Sequence, residues 1–311
     1  MDFEEFRKEW ETSSDVIICQ TSGSTGTPER IPLPKVQMIR SAQRTCEFFG
    51  ISDHSHLYSC VGAQYIGGKM MMVRSIVSGA SFGWETPSNH PLAEYEGRNI
   101  DLISVVPSQM IFLLEHPEIL CQVKNFLIGG AAIPIPVRKQ IIERGISAWE
   151  SYGMTETSSH IALRRVTEEN DWFRTLPGIT VDYHSENRLA INIQGWKRFL
   201  TNDIAEIASP YSFRILGRAD NIINSGGKKI SPEELEQVLS SEFSFPFFIT
   251  SQTDEKWGEA VVIAVVNAEP TDDEILLKCK GLLPSFKVPK AVLRLDKIHL
   301  TPNGKLKRIK F

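Results

Sequence analysis

Apolar and polar positions divide the first half of the chain into short apolar runs separated by amphipathic stretches. DVIICQ (15–20), HLYSCV (56–61), ASFGW (80–84), DLISVVP (101–107), NFLIGG (125–130) and AWESYG (148–153) have the length and composition of buried strands. The opening stretch up to Trp10, and residues 36–49, 68–79, 108–116 and 137–145, read as helices, the last with a glycine stop at Gly145. This alternation predicts α/β layering around a largely parallel sheet. After about residue 168 the period falls to two in GITVDYH, RLAINIQ, IAEIA and SFRILG, which predicts a more antiparallel section. A polar, glycine-rich break, GRADNIINSGGKK (217–229), precedes a compact unit of helix, two strands, helix, strand and basic end. The predicted organisation is a large layered α/β N-terminal domain over residues 1–217, with partly parallel sheets, and a small mobile α+β C-terminal domain over residues 218–311.

Composition narrows the function classes. The 311 residues carry a net charge of −4 and are 41% hydrophobic, enough for a large core and without the basic bias of a nucleic-acid binder. The five cysteines are scattered, with no CxxC pair, as expected of reduced thiols in a cytoplasmic protein. The acidic start lacks a signal-peptide layout, and no apolar run is long enough to span a bilayer. His54 and His56 form an HxH pair without further ligands nearby, and GxSxG is absent. Met70, Met71 and Met72 read as core packing.

The candidate chemistry lies in loops. TSGSTGTPER (21–30) lacks the lysine of a Walker A loop, but its small residues and hydroxyls suit an anion cradle as well as they suit a polar turn. LIGGAAIP (127–134) would let a flat ligand approach the backbone, or form a tight turn. SYGMTET (151–157) combines an aromatic ring, two threonines and an acid, a set able to stack a base, touch phosphate and hold a hard metal. TNDIAEI (201–207) offers Asp203 for ribose hydroxyls or as a surface turn, and LTPNGKLKR (300–308) offers Lys305 or a solvated basic tail.

In this order, with GRADNIINSGGKKISPEELE before the last, the motifs resemble the adenylate-forming superfamily of acyl-CoA synthetases, peptide-synthetase adenylation domains and luciferase-like enzymes. The resemblance covers nearly the whole chain, from about Val16 to Arg308. It implies a two-step reaction with ATP, Mg²⁺ and coenzyme A. A carboxylate attacks the α-phosphate and releases pyrophosphate, and a thiol then displaces AMP from the acyl adenylate. By the same resemblance, Thr21, Ser22, Gly23, Ser24, Thr25, Gly26 and Thr27 would hold the β and γ phosphates. Gly130 and Ala131 would line the adenine and acyl sites, and Tyr152, followed by Gly153, would stack on adenine. Thr155 would contact the α-phosphate, Glu156 would bind Mg²⁺, and Asp203 and Arg218 would hold the ribose. Asp220 would be the hinge, Lys305 the lysine that stabilises the adenylation transition state, and Gly226 and Gly227 would face the thiol channel.

The segment QYIGGKMMMVRSIVSG (64–79) sets a gate residue, a glycine and an arginine at the spacing of o-succinylbenzoate–CoA ligases of menaquinone biosynthesis, which it resembles, with Tyr65 in place of the usual histidine. Arg74 would then pair with a second carboxylate or keto oxygen of the acid, with Lys69 as a second cation; alternatively, Arg74 binds a helix C-terminus or an aspartate. VVPSQM (105–110) resembles the same group, with Ser108 for threonine.

Two departures stand out. The phosphate loop ends Pro28-Glu29 where the family has Pro-Lys, with Arg30 next, and only about twenty residues precede the loop. Part of the site wall would then be absent or supplied by a partner subunit, as in a homo-oligomer. Two rival readings are an adenylating enzyme for another acid or for a carrier protein, and a non-catalytic nucleotide-binding relative.

Overall fold

The structure, a computed structural model, describes residues 1–20, 29–168, 171–240, 242–298, 306 and 308–311. The chain forms two compact units: Met1–Val181 with Asn192–Phe199 and Ser209–Ser212, and Asp182–Ile191 with Leu200–Ala208 and Phe213–Phe311. The sequence break at Gly217 and Arg218 lies inside the second unit.

The first unit contains α1 (Phe3–Glu11), β1 (Val16–Gln20), β2 (Arg30–Pro34), α2 (Lys35–Phe49), β3 (His56–Ser59), α3 (Ile66–Ser78), β4 (Ser81–Trp84), β5 (Leu102–Val105), α4 (Pro107–Glu115), α5 (Pro117–Leu120), β6 (Phe126–Ile128), α6 (Ile135–Glu143), β7 (Ala148–Met154), β8 (Ser159–Arg165) and β9 (Phe173–Thr175). Its main sheet runs β9–β8–β7–β6–β5–β3–β4. The strands from β7 to β4 are parallel, and β8 and β9 add antiparallel edges. Every residue of β5 and β6 is buried, as expected of strands covered on both faces. One core packs Ile103, Val105, Phe126 and Ile128 of the sheet against Met110 and Leu113 of α4 and Ile141 of α6. A second packs Phe6 of α1, Ile17 and Leu33 of the β1–β2 ribbon, Met38 of α2, and Met70, Met72 and Val73 of α3. The methionine run is thus core, all three side chains being fully buried.

Several elements depart from the sequence reading. RIPLP forms β2, although prolines count against a strand; among the described residues it pairs only with β1, so the missing N–H groups break no interior ladder. SHIALRR forms β8, antiparallel to β7. The break at 217–229 contains a hairpin, β14 (Ile223–Ser225) with β15 (Lys228–Ile230). Its two-residue turn is Gly226-Gly227, both at positive φ (56° and 76°), as the tight turn of a twisted hairpin requires.

Strands β10 (Ile179–Ser185), β11 (Arg188–Ile193), β12 (Arg198–Ser209) and β13 (Ser212–Arg218) contribute residues to both units and neighbour one another in that order. The rest of the second unit is built on the sheet β15–β14–β17–β16, where β16 is Phe247–Asp254 and β17 is Gly258–Val266, with β18 (Ala291–Leu295) parallel to β17. Helices α7 (Pro232–Leu239) and α8 (Asp272–Leu282) cover it. Leu235, Leu239, Ile249, Val261, Ile263, Ile275 and Cys279 fill its core. Ser231 caps α7 ahead of Pro232, and Thr271 with Glu274 forms a capping box on α8. Among the described residues no helix is long and apolar enough to cross a membrane.

Candidate active site

Parallel strands bring their C-terminal ends, and whatever follows them, to one edge of a sheet. In the first unit that edge collects the segment with Tyr65 after β3, Ser108 after β5, Gly130 and Ala131 after β6, and Tyr152, Gly153, Thr155 and Glu156 at the end of β7. Stretches far apart in sequence therefore converge because β3, β5, β6 and β7 are adjacent and parallel. Tyr65 is half-buried at the start of α3, and Ser108 is exposed in the first turn of α4.

Close backbone packing shapes this edge. A Cβ on Gly129 would lie 2.7 Å from Ser151 Oγ, which donates to the Ile128 carbonyl at 3.1 Å. Gly130 is exposed and has φ of 90°, a left-handed conformation that favours glycine. A β-bulge shifts the register between Tyr152 and Gly153, where a Cβ on Gly153 would meet the Ser159 carbonyl oxygen at 2.2 Å. Residues Thr155–Thr157 form a 3-10 turn. Thr157 Oγ1 accepts from Met154 N at 3.1 Å, and Ser158 and Ser159 leave the turn at φ of 57° and 86°. Strain of that kind in non-glycine residues persists only where surroundings hold it. Part of the hold is Ser41 of α2, whose hydroxyl donates to the Ser158 carbonyl at 2.9 Å.

Tyr152 is backed by a stack of fixed groups. Its ring lies 5.8 Å from that of Phe173, and the Arg164 guanidinium sits 4.6 Å over Phe173. Arg164 is held in turn by the buried Glu150 carboxylate at 2.7 Å.

Beneath the edge lies a buried polar relay. Arg74 is 1% exposed, with Nη2 3.4 Å from His160 Nδ1 and Nη1 3.3 Å from Met71 Sδ. Burial, together with the Arg74 charge, pushes the His160 pKa well below its ordinary value, so the ring is neutral. A guanidinium only donates, so Nδ1 accepts and the ring proton sits on Nε2, which faces Thr45 Oγ1 at 3.0 Å. Thr45 donates onward to the Ser41 carbonyl at 3.2 Å. Burial also lowers the pKa of Arg74 to about 10. Neither alternative partner for Arg74, an aspartate or a helix C-terminus, is found among the described residues, where no carboxylate lies within ion-pair distance of it; its buried Nε has no hydrogen-bond partner. Lys69 is 2% exposed and is engaged by α1: its Nζ is 3.9 Å from Glu9 Oε2 and 4.2 Å from the Phe6 ring centre.

In the second unit Asp203, Arg218 and Asp220 meet. Arg218 Nη1 is 3.2 Å from Asp203 Oδ1, and Nη2 is 2.6 Å from Asp220 Oδ2. Gly226 packs against Trp257, where a Cβ would lie 2.6 Å from the indole ring. Residues 21–27 and Lys305 lie outside the described residues. Among the described residues there is no cluster of three or more His, Cys, Asp or Glu that could hold a metal. The single half-buried carboxylate of Glu156 fits Mg²⁺, which usually takes one or two protein carboxylates and fills its remaining positions with phosphate and water. The His160–Arg74 contact and the Glu150–Arg164 support were not read from the sequence; the one available signal was Glu150, a charged residue at an inward position of the run AWESYG.

Residues 3–186 match the AMP-binding enzyme family, and residues 248–305 match the AMP-binding enzyme C-terminal domain. The chain belongs to the AMP-binding enzyme family. Among its relatives, the 2-succinylbenzoate–CoA ligase of Listeria monocytogenes is 27% identical over 98% of this chain and 71% of its own length. The 2-succinylbenzoate–CoA ligase of Bacillus cereus is 27% identical over 97% and 70%. Among solved structures, an acyl-CoA synthetase (AMP-forming)/AMP-acid ligase II-like protein from Dyadobacter fermentans is 28% identical with a TM-score of 0.65, and the match covers 97% of this chain and 90% of that one. The o-succinylbenzoate coenzyme A synthetase (MenE) from Bacillus subtilis, in complex with ATP and magnesium ion, shares the fold at a TM-score of 0.81 with 22% identity, covering 94% of this chain and 68% of that one.

Proposed function

We propose that this protein is an ATP-dependent, AMP-forming acid–CoA ligase acting on 2-succinylbenzoate in menaquinone biosynthesis. The observation that carries the reading is the convergence of Tyr65, Ser108, Gly130, Tyr152, Thr155 and Glu156 at one edge of the parallel strands, in a chain whose curated relatives are 2-succinylbenzoate–CoA ligases.

An oxygen of the acid attacks the α-phosphorus of ATP, and pyrophosphate leaves. The thiolate of coenzyme A then attacks the acyl carbonyl, and AMP leaves. Residues 21–27 grip the β and γ phosphates. Tyr152, backed by Phe173, presents a ring face to adenine, with Gly130, Ala131 and Gly153 leaving the backbone open to approach. Thr155 donates to the α-phosphate, and Glu156 holds Mg²⁺, which neutralises phosphate charge when bound. Asp203 accepts from ribose hydroxyls while Arg218 holds it in place. Lys305 brings its charge to the α-phosphate at the transition state. Tyr65 and Ser108 shape the acyl end, with Lys69 behind them. Arg74 answers the second carboxylate of the acid: its guanidinium, set between Met71 and His160, has no carboxylate within ion-pair distance among the described residues. Asp220 is the hinge about which residues 218–311 reorient, after which Gly226 and Gly227 line the thiol path.

The test is pyrophosphate and AMP release with ATP, Mg²⁺, coenzyme A and 2-succinylbenzoate, set against benzoate and short fatty acids. Turnover with 2-succinylbenzoate alone is expected. Turnover only with another acid would keep the ligase and discard the pathway, and release with no acid would discard both. Lys305→Ala is expected to abolish adenylation while ATP still binds. The enzyme works in the cytoplasm as a homo-oligomer; a monomer mass at every concentration in light scattering would remove the oligomer.

A further inference from the structure

Neighbouring parallel strands β5, β3 and β4 end at the edge that holds Tyr65 and Ser108. The chain leaves β3 at Cys60, leaves β4 into residues 85–92, and leaves β5 into the first turn of α4. One side chain binds all of these exits. Gln109 of α4 is 3% exposed. Its Oε1 accepts from Val106 N at 3.0 Å, and its Nε2 donates to the Cys60 carbonyl at 3.0 Å and to the Ser88 carbonyl at 3.0 Å. A glutamine at this helix position commonly reaches back to the N–H ahead of the first turn, as Gln109 does at Val106. Its other end is the unusual part. A glutamine amide carries two N–H donors and one acceptor oxygen. Here both donors meet buried or loop carbonyls and the oxygen meets an N–H, so the amide satisfies its surroundings in a single orientation.

Each exit is held a second time. In the β4–β5 segment the Glu85 carboxylate accepts from Leu92 N at 3.0 and 3.2 Å, and Leu92 is buried at φ of 60°. A leucine stays in that left-handed conformation only where its surroundings hold it. After β3, Cys60 opens the turn that leads to Tyr65: Ser59 Oγ donates to the Val61 carbonyl at 2.8 Å, and Tyr65 N donates to the Gly62 carbonyl at 3.1 Å. After β5, Gln109 directly follows Ser108. The hydrogen bonds of the Gln109 amide reach neither β7 nor the Thr155–Thr157 turn, to which the nucleotide is assigned.

We propose that Gln109 is the positioning residue of the acyl end: its amide fixes the exits of β3, β4 and β5 to one another and so sets which acid the edge admits. The inference rests on the ligase reading above. It also makes residues 85–92 part of the acyl wall, beside the segments that carry Tyr65 and Ser108. Without the amide, the Cys60 and Ser88 carbonyls lose their shared donor and the segments around the acid shift apart.

Kinetics with the acid and ATP varied in turn separate this role from a merely structural one. ATP–pyrophosphate exchange reads adenylation. Gln109→Met keeps the length of the side chain and removes all of its amide hydrogen bonds. Gln109→Glu keeps the acceptor for Val106 N but sets a carboxylate oxygen against the two carbonyls. Each is expected to raise KM for 2-succinylbenzoate and to lower its kcat/KM advantage over benzoate by about tenfold, the scale of a changed pocket contact, with KM for ATP within about twofold of wild type. Where the wild type prefers another acid, that acid takes the place of 2-succinylbenzoate in the comparison. Gln109→Met keeps the test valid if Gln109→Glu folds poorly. Wild-type discrimination in the folded variants overturns the inference alone, as does a rise in both KM values that tracks lost thermal stability. A wild type that exchanges with no acid overturns the ligase reading and this inference with it.

Discussion

His160 is a histidine that the fold keeps neutral. It is buried, accepts from the Arg74 guanidinium, and donates a hydrogen bond from Nε2 to Thr45 Oγ1. Its folded pKa lies well below the ordinary value of 6.5, so in mild acid the unfolded chain takes up a proton that the folded chain refuses. The stability this neutral ring contributes is fully present above 6.5 and is lost progressively as pH falls toward the depressed folded value. While the two states differ by one proton, the slope is about 1.4 kcal/mol per pH unit. Urea unfolding between pH 6.5 and 5 is therefore expected to show a steeper loss of stability in wild type than in His160→Gln, whatever the variant's absolute stability. Equal slopes would remove the neutral assignment and the tautomer with it. The relay also shows a limit of sequence reading. Arg74 lies on α3 and His160 on β8, 86 positions apart, and no local pattern in the sequence says that they meet.

The elements of the candidate site's edge are packed around glycines where a side chain would meet occupied space. An alanine at Gly153 would put Cβ 2.2 Å from the Ser159 carbonyl oxygen, a backbone atom that cannot swing aside. Gly153→Ala is expected to cost about 1–3 kcal/mol and to weaken ATP binding, since the β7–β8 bulge aims Tyr152 and the Thr155 turn. Gly281 near the end of α8 is the contrast: nothing lies within 4 Å of its would-be Cβ. Gly281→Ala is expected to stabilise by about 0.5–1 kcal/mol. Denaturant midpoints with calorimetric ATP titration check both; Gly153→Ala binding ATP as wild type does would separate the bulge from the nucleotide. The main strands and long helices were legible because apolar runs of strand length alternate with helical spacing, and glycines mark several ends. β2 was hidden by Pro32 and Pro34, which propensity places outside sheets. β8 was hidden because it follows left-handed Ser158, begins in left-handed Ser159 and ends in Arg164 and Arg165. The β14–β15 hairpin carried a readable sign, Gly226-Gly227 between short apolar stretches, but the polar context masked it. The family motifs of the candidate site were legible because they keep their order, whereas the supports behind them depend on strand neighbours that no local pattern encodes.

Over the molecule as a whole, the five thiols sort by burial. Cys19, Cys46, Cys60 and Cys279 are buried, and burial pushes all four pKa values up, to about 11 for Cys19 and Cys279. Cys121 alone is exposed. A thiol-specific disulfide reagent is expected to titrate one group rapidly in the native protein and the other four only on unfolding. Two or more fast groups would mean that a core opens under native conditions. One accessible thiol is also an attachment point for chemistry. A donor fluorophore placed on Cys121 of the first unit leaves the catalytic edge untouched. An acceptor on Leu277→Cys, on the face of α8 where the native side chain is 71% exposed, would label the second unit. Single-molecule energy transfer between the two dyes would then test the proposed reorientation of residues 218–311 as the acid, ATP and coenzyme A are added, and a signal that stays constant throughout would remove the hinge.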